Sequence, residues 1–179
     1  MKIALSKIVG RPIVVGGSVA GYEFVEALKK LAADPLPVKE RYALARTIED
    51  AERWVASFEA ARLQEIKNHC MTRKDFLTSR RTKLEREIEE ASKGEAKHPG
   101  LKRMQESLVR LEMEIQELGV ATGGYVAPGP ESERQLEAAV AKHASEEVDL
   151  FLDHRIKLGD ESKLDGNQMR ALMELIEVQ

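Results

Sequence analysis

Aromatic residues, cysteine and long apolar runs are all scarce in this sequence. Aromatics make up 4% of its 179 residues, so a core has to be built mainly from Leu, Ile, Val, Ala and Met. Cys70 stands alone, which excludes a disulfide framework and a cysteine-rich zinc site and favours a reducing compartment. No stretch approaches the roughly 18 consecutive apolar residues of a membrane-spanning helix, and the N-terminal apolar runs are too short for a signal peptide. We therefore expect a soluble protein made in the cytoplasm.

The sequence also has almost no excess of charge of either sign, because its net charge is only -3. This balance gives no general attraction to nucleic acid or to a membrane. The acid excess is confined to residues 131–179, which hold 6 basic and 12 acidic side chains. We interpret that region as a solvated acidic surface, and an interaction face for a basic partner is the alternative.

A long amphipathic helix is the most regular feature that is present. Its apolar residues recur at steps of three and four, which predicts a helix of about 30 residues that serves as a spine for others. Pro37 precedes it and suits the start of a helix. The predicted inward positions are Val38, Tyr42, Ala45, Ile48, Ala51, Val55, Phe58, Ala61, Leu63 and Ile66, with Trp54 at the border of the stripe.

A helical hairpin is predicted over residues 72–119. Thr72 with Asp75 three positions later is a helix-start signature, and a highly charged helix follows over 73–93. Breakers at 94–100 form a turn. The second helix has a heptad seam that predicts antiparallel packing on the first and leaves the outer faces for water or another chain. The seam consists of Leu101, Met104, Leu108, Leu111, Ile115 and Leu118.

The ends of the chain predict shorter elements. Residues 2–15 suggest an extended segment, and a helix is expected from about residue 18 to residue 32. Period-two alternation over 148–158 predicts extended chain that pairs with the N-terminal strand. Asp165 with Gln168 then predicts the start of a last amphipathic helix, with Met169, Leu172, Met173 and Ile176 on its apolar side.

Together these elements predict a mainly α fold. It is a helical bundle with a long spine helix, a projecting antiparallel helical hairpin and a small extended or β element. We expect residues 1–71 and 131–179 to form one helical core domain that includes a helix at about 131–145. Residues 72–119 form the hairpin insertion, and 120–130 form a Gly/Pro-rich linker without charge.

Residues with metal or acid–base chemistry do not form a recognisable motif. Aligning Asp165-Gly166 to a calcium loop puts Lys163 on a ligand position and Leu172 at the twelfth, which excludes that loop. His154 lies beside Asp153 without a third converging ligand.

The remaining motifs are equally unspecific. Adjacent His69 and Cys70 lack an orienting acid and an oxyanion site. The glycines at 16–21 fit no nucleotide-binding pattern. We predict no catalytic, cofactor-binding or metal-binding residues and no cofactor.

A basic stretch at 73–86 is the one candidate for nucleic acid. Acidic residues follow directly over 85–90, and Phe76 is the only aromatic residue in the stretch. We therefore interpret it as a solvated helix face with internal ion pairs, and nucleic-acid binding is an alternative.

Two blocks of the sequence resemble a family of small tailed-bacteriophage proteins of unknown function. They are "EALKKLAADPLPVKERYALARTIEDAERWVASFEAARLQEI" at 26–66 and "ESERQLEAAVAKHASEEVDLFLDHRIKLGDESKLDGNQMRALMELIEV" at 131–178, about half of the chain. The match is one of pattern and order. Such proteins have a shorter connection at 67–130, so the hairpin is an insertion, and residues 1–20 are unmatched. The resemblance carries over no catalytic residue.

The resemblance implies a phage protein that is made in the bacterial host cytoplasm and built into the virion. We expect a non-enzymatic structural or virion-assembly protein that acts through contacts with other phage structural proteins or copies of itself, as an oligomer or part of a larger assembly. The alternatives are a small phage effector that binds and inhibits a host or defence protein, and a nucleic-acid-associated helical protein.

Overall fold

The computed structural model describes residues 1–10, 22–93, 100–121, 123–152, 154–158 and 162–178. Of these described residues 69% are helical, which confirms the mainly α prediction. No helix in these ranges is both long enough and apolar enough to cross a bilayer. The elements in chain order are β1 (Lys2–Ala4), α1 (Leu5–Val9), α2 (Tyr22–Ala32), α3 (Val38–His69), β2 (Met71–Thr72), α4 (Arg73–Ser92), α5 (Leu101–Leu118), β3 (Tyr125–Val126), α6 (Pro130–Ala144), β4 (Glu147–Asp149), β5 (Ile156–Leu158), α7 (Gly166–Ala171) and β6 (Ile176–Val178).

The backbone forms two compact units. The core unit comprises Met1–Ile66 and Arg134–Gln179, and the hairpin unit comprises Lys67–Glu133. The expected hairpin at 72–119 and the expected linker at 120–130 both lie inside the hairpin unit.

The spine helix α3 forms as predicted and follows Pro37 directly. The predicted positions Ala51, Val55, Phe58 and Ile66 are buried on one face of it. Four predicted inward positions are wrong, because the buried stripe runs through Ala43, Leu44 and Thr47 instead and turns the neighbouring positions outward. Those four are Val38, Tyr42, Ala45 and Leu63.

The first ten residues differ from the extended segment that was predicted. Only β1 is extended, and the next residues turn into the helix α1. Ile8 and Val9 are both fully buried. In a strand these neighbours would point to opposite faces, whereas the helix allows both to pack against the core. The rest of that segment and the expected start of the following helix at 18–21 lie outside the described residues.

The pairing of the N-terminal strand with the alternating stretch is confirmed. β1 is antiparallel to β4, with Ile3 opposite Val148. The amino group of Met1 donates to the carbonyl of Leu150 at 2.8 Å. These bonds anchor the start of the chain to the segment after α6.

The C-terminal helix begins as predicted but is shorter. The Asp165 carboxylate accepts from the amides of Asn167 and Gln168. The Asp165 amide in turn donates to Gln168 Oε1. The prediction that the helix extends through Ile176 is wrong, because α7 ends at Ala171 and Ile176 lies in β6. β6 is parallel to β5, which satisfies its main chain and buries Ile176.

The hairpin unit is built from α4 and α5, which pack on one another. The side chain of Thr72 caps α4 by accepting from the Asp75 amide at 3.1 Å, as predicted. Arg73 of α4 binds Glu114 of α5, and the ammonium of Lys74 donates to the Gly119 carbonyl after α5. The linker is partly ordered by β3, which pairs antiparallel with β2.

Few apolar side chains of the hairpin are fully covered. Leu77 is the buried residue of α4 and Leu111 that of α5. The other five seam positions of α5 are half-buried. The seam side of α5 therefore still meets solvent at these five positions.

Candidate functional site

The core unit exposes a cluster of two aromatic rings and a guanidinium. The rings of Tyr42 and Phe151 meet edge to face with centroids 6.0 Å apart and an interplanar angle of 86°. Tyr42 is 62% exposed and Phe151 is 48% exposed. The guanidinium of Arg46 lies 5.9 Å from the Phe151 centroid, and Val38 is exposed one turn before Tyr42. We call Val38, Tyr42, Arg46 and Phe151 the aromatic patch.

Side chains of α3 hold Phe151 in this position. The amide of Phe151 donates to Asp50 Oδ2 at 2.9 Å, and the amide of Leu152 donates to Thr47 Oγ1 at 3.1 Å. The indole N–H of Trp54 donates to the carbonyl of Asp149 at 3.1 Å. The segment is therefore bound along the helix by three side chains, and the position of Phe151 is fixed by the fold.

Alternation along the same segment gives it an acidic and aromatic outward face. Val148, Leu150 and Leu152 are buried, whereas Glu147, Asp149 and Phe151 are exposed. Side chains two apart on a strand point to the same side, as Glu147 and Asp149 of β4 do, and Phe151 is exposed in the bend after the strand. We call Glu147, Asp149 and Phe151 the outward triplet.

The two carboxylates of the outward triplet are not engaged. Within the described part of the chain, neither Glu147 nor Asp149 forms an ion pair at 4.0 Å or less. Lys2 is the cross-strand neighbour of Asp149, and Ala4 is that of Glu147. Both carboxylates are thus available for a cation from another molecule.

The hairpin unit has a groove of its own between α4 and α5. The groove has a volume of about 470 Å³. Leu84 and Leu111 contribute its apolar lining, and three cations border it, namely Arg80, Lys83 and Arg110. We call it the hairpin groove.

Two of the three cations of the hairpin groove have no anionic partner. Among the described residues, no carboxylate lies within 4.0 Å of Arg80 or Arg110. Lys83 is 4.0 Å from Glu87, and Glu114 at the other end of the groove is bound by Arg73. Guanidinium groups bind carboxylates in a bidentate manner, so the groove is suited to an acidic ligand.

The basic stretch at 73–86 contains the internal ion pairs that the sequence predicts. Arg81 pairs with Glu85 at 3.3 Å, in addition to the contact between Lys83 and Glu87. Exposed pairs of this kind are worth little in stability, about 0–1 kcal/mol each. They do reduce the positive charge that a polyanion would meet.

The two histidines of the core unit have different surroundings. His143 lies 3.3 Å from Glu65 through Nε2 and 3.4 Å from Glu146 through Nδ1. His154 is exposed, and Asp153 beside it lies outside the described residues. In the described ranges, no three His, Cys, Asp or Glu side chains are grouped as metal ligands would be.

Cys70 and Asp165 have local structural explanations. Burial raises the pKa of the Cys70 thiol above its ordinary value, which lowers the fraction of nucleophilic thiolate at neutral pH. Asp165 is the helix cap described above, so its carboxylate is occupied by two backbone amides.

One buried carboxylate was missed in the sequence. Asp34 is 8% exposed. Its Oδ2 accepts from Ser162 at 3.1 Å, whereas its Oδ1 has no partner among the described residues. A cavity of about 50 Å³ adjoins it, which is enough for ordered water. The only sequence signal is the position of Asp34 after a helix and before Pro35. Aspartate is common in such turns, so the position does not predict that Asp34 is buried.

The aromatic patch was also missed, although a signal for it exists. The apolar period of α3 predicts Tyr42 on its inward stripe, and the alternation over 148–158 does not distinguish Phe151 from its neighbours. A phenylalanine at an outward position of an alternating strand is unusual in a chain with eight aromatic residues. That scarcity is the signal that marks Phe151.

No protein-family model, curated protein or solved structure matches this chain.

Proposed function

We propose that this chain is a non-enzymatic structural or assembly component of a bacteriophage particle that works through protein–protein contacts. The observation that carries the proposal is the aromatic patch. Tyrosine, other aromatic residues and arginine are enriched in the centres of protein interfaces, where they provide most of the binding energy. Two of the eight aromatic residues of the chain meet at the surface beside Arg46.

The way in which the patch is held supports the same proposal. Phe151 is fixed by hydrogen bonds of its own and the next amide to α3, so little conformational entropy is lost when a partner covers it. Two side chains that could perform acid–base chemistry, by contrast, have partners within the chain. Asp165 caps a helix, and His143 lies between two glutamates. The phage setting itself is supported by the sequence resemblance.

The same patch would serve a small effector that binds and inhibits a host protein. Mass spectrometry of purified particles separates the two roles. We expect a fixed number of copies of this chain per copy of the major capsid protein of the phage that encodes it. Absence from the particles, with abundant protein in the infected lysate, would contradict the structural role and favour the effector.

A pair of variants tests whether the patch is responsible. Tyr42→Ala with Phe151→Ala removes both rings, and Leu63→Ala with Met173→Ala removes two apolar side chains that are exposed elsewhere in the core unit. We expect the first double variant to be lost from the particles and the second to be incorporated at the wild-type copy number. Equal incorporation of both would show that the patch is not the contact.

A further inference from the structure

The lining of the hairpin groove has a net positive charge, and the outward triplet has a net negative charge. The groove presents Arg80 and Arg110, which have no carboxylate within 4.0 Å among the described residues. The triplet presents Glu147 and Asp149, which are exposed and equally without an ion pair in that part of the chain. Two guanidinium groups on one surface thus match two carboxylates on the other.

The apolar parts of the two surfaces also correspond. Phe151 is exposed in the bend that follows β4, two residues after Asp149. Leu84 and Leu111 line the groove next to the two arginines. A phenylalanine ring that enters a leucine-lined groove buries a large apolar area, and an arginine above its face adds a cation–π contact.

We propose that the hairpin groove of one copy of this chain binds the outward triplet of a second copy. In this contact Arg80 and Arg110 pair with Glu147 and Asp149, and Phe151 packs on Leu84 and Leu111. The proposal rests on the proposed function, because it names the partner through which the chain assembles.

A second copy fits the groove better than a nucleic acid does. Glu87 and Glu114 also line the groove, so a continuous row of phosphates would meet carboxylates, whereas two separate carboxylates can each pair with one arginine. A strand with two carboxylates followed by an aromatic residue offers charge at the arginines and an apolar group at the leucines. The chain itself supplies such a strand, within the region that holds its whole acid excess.

The geometry of such a contact has a consequence for assembly. The groove and the triplet are different surfaces, so the contact is heterologous and leaves one free groove and one free triplet at the ends of every open oligomer. Repetition of a heterologous contact forms a closed ring or an open filament. Both are forms in which a chain can build a layer of a particle.

Charge reversal in solution provides the test. The groove variant carries Arg80→Glu and Arg110→Glu, and the triplet variant carries Glu147→Lys and Asp149→Lys. The control carries Arg86→Glu and Arg103→Glu, which change the same charge on α4 and α5 at exposed positions outside the groove lining. Sedimentation velocity of the full-length chains over a range of concentrations, with circular dichroism to verify folding, measures association.

The expected pattern distinguishes this contact from any other. Wild type and control form oligomers that dissociate as salt is raised. The groove variant and the triplet variant each remain monomeric over the same range, with association weakened by about 100-fold. An equimolar mixture of these two variants forms oligomers again, because the new glutamates of one meet the new lysines of the other.

Several results would overturn the proposal. They are a wild-type chain that stays monomeric, single variants that associate as well as the control, or a mixture that fails to associate. Duplex DNA that binds the wild type but not the groove variant, with no effect of the triplet variant, would assign the groove to nucleic acid instead. Particle incorporation is a separate readout: a chain that is present in particles while the reversed variants assemble normally refutes this contact and leaves the proposed function in place.

Discussion

The core unit and the hairpin unit differ in how completely each one covers its own apolar residues. In the core unit, side chains from helices and strands alike are fully buried, including Leu44 and Phe58 of α3 and Leu136 of α6. In the hairpin, α4 and α5 each bury one residue and leave the remaining seam half-exposed. The core unit can therefore be stable through its own packing, whereas the hairpin has a surface that another molecule can complete.

The kinds of bond that hold the two units differ in the same way. Buried hydrogen bonds fix the core unit, as at Thr47, which links the Ala43 carbonyl to the Leu152 amide. The hairpin relies on exposed charges such as the pair between Arg73 and Glu114. Exposed pairs contribute little, so the balance of stability should lie with the core unit.

The largest expected effect comes from removing the same side chain in each unit. Leu44→Ala should lower the free energy of unfolding by about 2–5 kcal/mol, because it leaves a cavity in a fully packed interior. Leu108→Ala removes a half-buried seam residue and should cost roughly 1 kcal/mol. Urea denaturation followed by circular dichroism measures both. Equal losses would contradict the difference in packing between the units.

A smaller loss of stability is expected from replacing either of two threonines. Both donate to the carbonyl four residues earlier, but Thr47 is buried and Thr78 is exposed. Thr47→Val keeps the shape but leaves the buried Leu152 amide without its acceptor, at a cost of about 1–3 kcal/mol. Thr78→Val in α4 removes only a bond to the Lys74 carbonyl at an exposed position, so its effect should stay within about 0.5 kcal/mol. The same denaturation experiment applies. A costly Thr78→Val would show that α4 is more tightly packed than its exposure indicates.

The ion pair across the hairpin should contribute still less. Its side chains are 50% and 38% exposed at Arg73 and Glu114, so solvent screens their attraction. A double-mutant cycle with Arg73→Ala and Glu114→Ala should give a coupling free energy of at most about 1 kcal/mol that shrinks in high salt. A larger, salt-independent coupling would mean that this end of the hairpin is covered.

The smallest expected effect is the pH dependence at Cys70. Burial raises the pKa of its thiol above the ordinary 9.0, so the folded state keeps the proton longer than the unfolded state does. This contribution to stability is fully present below the unfolded pKa and is lost as the pH rises through the folded value. Alkylation by iodoacetamide at pH 8 should therefore be slower in the native chain than in urea. Equal rates would mean that the thiol is solvated, and Cys70→Ser is the control for reaction elsewhere.

The sequence predicts the elements of this fold better than their faces. Thr72 and Asp165 mark two helix starts correctly, because a cap depends on residues a few positions apart. Tyr42 was placed inward because its spacing fits the apolar stripe of α3, but the stripe is set by the elements that pack on the helix. Ile176 fits a helical period and yet lies in β6, which pairs with β5. The backbone hydrogen bonds from β5 come from a segment distant in sequence, so a local pattern does not reveal them.

The candidate surfaces follow even less from the sequence. The groove brings Arg80 together with Arg110, thirty positions later, and this depends on how α4 and α5 face each other. The aromatic patch joins Tyr42 to Phe151 across the core unit. Only the alternation that includes Asp149 and Phe151 is a local pattern, and it is the part of the two surfaces that the sequence predicts.

Hydrogen exchange of the full-length chain, measured by mass spectrometry at low and at high protein concentration, tests the contrast between the two units most directly. We predict slow exchange in the buried parts of α3 and α6 at both concentrations. In α4 and α5 we predict fast exchange at low concentration and strong protection at high concentration, when a second chain covers the hairpin. Protection of α4 and α5 that equals that of the core unit at low concentration, and does not change with concentration, would contradict the account.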